Sequence, residues 1–124
     1  MAEEDLGLAT DLLSRGSPYL NAIGFHAEQA AERLLKACLV RYQVEFPKTH
    51  NLGELLDLVD GPNPGLARSL RGATALNPYA VEVRYPGDLP EMTEADAREA
   101  VRLASSVREA AVRLMHPYIA GEVT

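Results

Sequence analysis

At 124 residues the chain has room for one hydrophobic core and not for two. Its 47% hydrophobic and 24% charged residues are those of an ordinary globular domain. A formal net charge of −6 excludes the broad basic face that duplex DNA demands. The single cysteine, Cys38, excludes an intramolecular disulfide. Acidic Glu3, Glu4 and Asp5 stand where a secretory leader would be basic, and no apolar run approaches the roughly 20 residues of a membrane span. The expectation is a cytoplasmic protein, one domain over residues 1–124, without a membrane segment.

Proline and glycine divide the chain into stretches of helical periodicity. The first helix is expected from about Ala2 to Leu13, with Glu3, Glu4 and Asp5 at the positive end of its dipole. Ser17-Pro18 precedes a second helix, expected to be the longest, from Tyr19 or Asn21 to Tyr42. Its stripe of Ile23, Ala27, Ala30, Leu34, Ala37 and Cys38, with a second arc of Phe25, Leu35 and Leu39, places it in the middle of a bundle. At about 100° per residue, His26, Gln29, Arg33 and Lys36 share a polar arc with Glu28 and Glu32 at its margin. Thr49 or Asn51 caps a short third helix carrying Leu52, Leu55, Leu56, Leu58 and Val59. Gly61-Pro62-Asn63-Pro64-Gly65 interrupts, and a fourth segment covers about Leu66 to Leu76. Residues from Arg84 to Pro90 read as loop. Thr93 caps a last helix whose Ala97, Ala100, Val101, Ala104, Val107, Ala111 and Leu114 repeat at three and four residues, ending before Pro117. The fold class is all-α, an antiparallel four- or five-helix up-and-down bundle.

Standard catalytic and cofactor motifs are missing. There is no CxxC or HExxH, the three histidines are far apart, and the Gly61–Gly65 stretch lacks the Lys-Ser/Thr of a phosphate loop. Cys38, among apolar neighbours, reads as a small buried hydrophobe. No metal or cofactor is expected.

Four segments carry a resemblance. Phe25-His26-Ala27-Glu28-Gln29-Ala30-Ala31-Glu32-Arg33-Leu34-Leu35-Lys36-Ala37 resembles the AxQAAExxLKA helix of the HEPN family (higher eukaryotes and prokaryotes nucleotide-binding). Thr49-His50-Asn51-Leu52 resembles its THDL corner, Tyr79 with Arg84-Tyr85-Pro86 its Y…RYP loop, and Thr93 to Leu114 its closing helix. The pieces occur in the family's order and cover nearly the whole chain. The resemblance implies a helical bundle that often forms a homodimer. It also implies a nucleotide-binding or partner module of a minimal nucleotidyltransferase, in a toxin–antitoxin-like pair. Other HEPN branches are metal-independent ribonucleases marked by Arg, four to six residues, then His. Here eight residues separate Arg41 from His50, and seven and two residues separate Arg108 and Arg113 from His116. The ribonuclease is thus the alternative function and a purely structural oligomer a weaker one. No catalytic residue is assigned.

The candidate ligand-binding residues are Gln29, Arg33, Lys36, His50, Arg84 and Tyr85, with Glu32 orienting Lys36. They would bring cations and a stacking ring into one polar cleft of an acidic chain, suited to a nucleotide or another phosphate-bearing ligand.

Overall fold

The helix expected at the centre of the bundle is at the centre. A computed structural model describes residues 2–15, 20–80 and 92–121, the side chains of 15 and of 116–121 excepted. Helix α2 spans Leu20–Arg41 and buries Ile23, Ala27, Ala30, Ala31, Leu35, Cys38 and Leu39. It packs against α1 (Ala2–Arg15), α3 (Leu52–Asp60), a 3₁₀ helix (Arg71–Ala80) and α5 (Glu94–Gly121). A short α4 (Pro64–Ser69) rests on α3. The described residues form an all-α bundle with one core, in which Ala97, Ala100, Ala104 and Val107 of α5 face the core with the alanines of α2. Short side chains on both helices let their axes approach closely.

Chain direction follows from the contacts. Asp5 in the first turn of α1 reaches His26 and Arg33 well along α2, and the two helices run antiparallel. The stretch from α3 through the 3₁₀ helix then carries the chain back. Met92, just before α5, lies at Gly24 near the start of α2, while Met115 shares a hollow with Val40 and Arg41 near its end. The up-and-down alternation therefore joins α1 to α2, and the crossover sets α5 alongside α2 in the same direction.

Four boundaries differ from the sequence expectation. Helix α1 continues to Arg15, and α5, at 28 residues, is longer than α2 at 22. α5 passes Pro117, because a proline withholds one N–H, the one due to the Arg113 carbonyl, while its φ remains helical. The fourth segment is two helices. Pro64 occupies the first turn of α4, where its missing N–H is no loss, and Asn63 caps the end by accepting from Leu66 N at 3.0 Å. The 3₁₀ helix includes Pro78, whose fixed φ of about −65° suits that geometry.

Glycine at position 24 is required by packing. A Cβ there would lie 3.0 Å from Met92 Cε and 3.1 Å from Tyr79 Cγ, so the 3₁₀ helix and the lead into α5 both close on α2 at this point.

Helix α2 ends in a Schellman turn: Val44 N donates to the Leu39 carbonyl at 2.9 Å and Gln43 N to that of Val40 at 3.0 Å. The left-handed position is held by Gln43, φ 59°. A side chain there costs roughly 1–2 kcal/mol, against roughly 0.5–1 kcal/mol of extra chain entropy lost by glycine. Gln43→Gly should therefore raise unfolding free energy by about 0.5–1 kcal/mol in chemical denaturation.

Candidate functional site

Gly24, Glu28, Glu32 and Lys36 recur every four residues and form one row along α2. Both carboxylates are inside: Glu28 is 0% exposed and Glu32 4%. Lys36 Nζ donates to Glu32 Oε2 at 3.0 Å and lies 5.9 Å from the Phe46 ring centroid. Glu32 Oε1 meets His50 Nδ1 at 2.8 Å. One buried carboxylate thus holds a lysine on one oxygen and an imidazole on the other. Among the described residues Glu28 has no cation of its own. Gln29 Nε2 donates to its Oε1 at 2.9 Å, and its buried Oε2 accepts from no donor among the described residues.

His50 is carried to Glu32 by the corner before α3. Asn51 caps α3, accepting from Gly53 N at 2.8 Å and Glu54 N at 3.3 Å. Asn77 of the 3₁₀ helix accepts from Leu52 N at 2.8 Å. The free N–H groups of the first turn are thereby consumed by two side chains, one of them from another element. The His50 ring is 75% exposed, with Nδ1 turned inward to Glu32 and Nε2 on its far side. A shallow depression of about 260 Å³, lined by His50, Asn51, Asn77 and Ala80, lies beside it.

The other margin of the polar arc meets α1. Asp5 Oδ1 lies 2.9 Å from His26 Nδ1, and Asp5 Oδ2 lies 3.4 Å from Arg33 Nη1. Phe25 sets its ring edge-on to His26, centroids 5.2 Å apart.

The expected cleft is therefore assembled in part. Lys36, His50 and Glu32 come together. Gln29 is engaged by Glu28, and Arg33, on the same arc, leans to Asp5 instead of His50. Arg84 and Tyr85 lie outside the described residues. Sequence reasoning missed Glu28 and Asp5 as members of the polar network. Glu28's four-residue spacing from Glu32 was visible, but its burial was not. Asp5 read only as a partner of the helix dipole. Among the described residues no three His, Cys, Asp or Glu side chains converge as a metal site requires. Cys38 is buried, and burial pushes its thiol up to about 11, so it is a poor nucleophile.

Comparison with protein families gives a match to the HEPN domain over residues 1–115. The chain belongs to the HEPN family. Neither the curated proteins nor the solved structures gave a match. The matched span contains α1 to α4, the 3₁₀ helix and most of α5, so the Glu28–Glu32–Lys36 row and the His50 corner belong to the HEPN domain itself. No described helix is long and apolar enough to cross a membrane.

The chemistry of the row depends on protonation. Burial first, and then the adjacent Glu32 charge, push the Glu28 carboxyl from 4.5 up to about 8. The unfolded chain releases this proton near pH 4.5 and the folded chain near 8. Between those values the folded state holds the extra proton, so stability falls by about 1.4 kcal/mol for each pH unit of rise. The contribution is complete below the lower value and gone above the upper one. Glu28→Gln, which carries no titrating proton, should flatten this part of the stability–pH curve, measured by denaturant unfolding from pH 5 to 9.

Proposed function

We propose that this HEPN domain is the nucleotide-binding and partner module of a minimal nucleotidyltransferase, in a pair of the toxin–antitoxin kind. The observation that carries the reading is the Lys36–Glu32–His50 constellation. Lys36 and a protonated His50 can each donate to phosphate, both are pre-set by one buried carboxylate, and His50 lines an open depression. His50 Nε2, on the far side of the ring from Glu32, has no hydrogen-bond partner among the described residues; it donates to an anionic oxygen when the ring is protonated and accepts from a ligand hydroxyl or amide when the one proton sits on Nδ1. Asn51 and Asn77, on the wall of the depression, add amide groups that suit a base edge or ribose. A second copy of the chain is a further partner in this reading, since Val40 and Val112 leave apolar side chains exposed.

Calorimetric titration with AMP and ATP, and with a minimal nucleotidyltransferase encoded beside the gene, tests the proposal. Lys36→Ala and His50→Ala should each weaken binding by about 5- to 100-fold, the equivalent of one charge-assisted hydrogen bond, with unchanged helical circular dichroism. Affinities equal to wild type in both variants would contradict it.

The Glu32–His50 pair also favours a second reading. An imidazole aimed by a carboxylate is suited to acid–base work on an RNA 2′-hydroxyl, as a metal-independent ribonuclease requires. RNA cleavage by the purified protein that disappears in His50→Ala would replace the binding module with that enzyme.

A further inference from the structure

Glu28 and Glu32 are the buried acids of α2, and they stand one turn apart on the same row. Glu32 takes both nearby bases, Lys36 and His50. Among the described residues Glu28 is left with a single neutral donor, the Gln29 amide, while its Oε2 is fully enclosed and accepts from none of them. Two carboxylates cannot hydrogen-bond one another, but a carboxylic acid and a carboxylate can. One proton on Glu28 turns the orphaned Oε2 into a donor to Glu32 and removes a buried charge that has no counterion.

We propose that Glu28 and Glu32 share one proton, and that Glu28 is thereby the positioning residue of the site. The acid form of Glu28 donates to Glu32 and holds that carboxylate against Lys36 and His50. It also keeps a second negative charge away from the face that meets phosphate. With the proton in place, Glu32 and Lys36 cancel, and the face is neutral or carries one positive charge according to His50. With the proton lost to solvent base, two carboxylates compete for one lysine and the face turns anionic. The consequence for ligand binding rests on the nucleotide reading above; the shared proton itself does not.

The surroundings are consistent with a proton held between these two groups. On α2 the charged neighbours acting on Glu28 are Glu32 and Lys36. From the α2–α3 connection His50 acts through Glu32. Asp5 of α1 faces the opposite margin, occupied by His26 and Arg33. Tyr79 of the 3₁₀ helix and Met92 before α5 cover Gly24, one turn before Glu28. The buried positions of α3 and α5 are leucine, valine and alanine. No described element brings Glu28 a cation other than the lysine already bound to Glu32.

Two measurements on the full chain test the proposal. Side-chain carboxyl carbons are followed by ¹³C NMR from pH 4 to 10 in wild type and Glu28→Gln. The Glu28 signal should move with a midpoint well above the ordinary carboxylate range, and the Glu32 signal should register that same Glu28 event, a response that Glu28→Gln abolishes. A Glu28 signal that titrates in the ordinary acidic range, or a Glu32 signal that ignores it, overturns the proposal. AMP affinity is then measured from pH 7.0 to 9.5, where its phosphate is already a dianion (second pKa about 6). Wild-type affinity should fall by up to about tenfold per pH unit beyond the midpoint. Glu28→Gln, whose amide can still donate to Glu32, should retain the pH 7 affinity across the range, and Glu28→Ala should be weaker throughout. The same alkaline loss in Glu28→Gln would assign the effect to another group and overturn the positioning role. Absence of AMP binding at every pH in wild type would end the nucleotide reading, while the NMR titration still decides the shared proton.

Discussion

A carboxylate that enters a helix bundle must bring its counter-charge or its proton with it, and α2 does both on successive turns. Glu32 arrives with Lys36 from its own helix and His50 from the next corner. Glu28 arrives with a proton. Burying an unpaired charge costs several kcal/mol, and this cost is what fixes the neighbours. Because Glu32 cannot be left alone, the segment after α2 must return with a donor. The Schellman turn at Gln43 and the Asn51 cap bend the chain back so that it does.

Local order around His50 is built from backbone satisfaction more than from apolar packing. The first turn of α3 needs acceptors for its N–H groups. Asn51 supplies one oxygen and Asn77 another, from an element 25 residues further on. That same 3₁₀ helix is pressed on α2 through Tyr79 at Gly24. The site residue is therefore clamped on two sides, by Glu32 beneath and by the Asn51–Asn77 pair beside it, although its ring is largely in water. An exposed side chain with a buried anchor is pre-organised at small entropic cost to a ligand.

Periodicity read the bundle well because helix burial follows from spacing along one strand of sequence. The stripe from Ile23 to Cys38 and the alanine repeat of α5 settle which faces are inside, and the HEPN resemblance agrees with the family match over residues 1–115. The site was legible only as an arc. Spacing put Gln29, Arg33 and Lys36 on one side of α2, but it could not say which neighbour would meet which residue. Asp5, from another helix, drew Arg33 away from Lys36. Glu28 looked like a solvated margin because nothing local distinguishes a buried glutamate from an exposed one; only the packing of the returning segments does. Proline was over-read as a terminator at Pro78 and Pro117, where its fixed φ fits the helix and only one hydrogen bond is forgone.

The binding site proposed for this domain depends on Glu32 holding His50 by Nδ1. Long-range ¹H–¹⁵N NMR of the neutral imidazole reads that contact directly. If the contact exists, the His50 proton resides on Nδ1, facing Glu32, and Glu32→Gln shifts the ring toward the Nε2-protonated form. A wild-type His50 already protonated on Nε2, and indifferent to Glu32→Gln, would show a freely solvated ring and contradict the site.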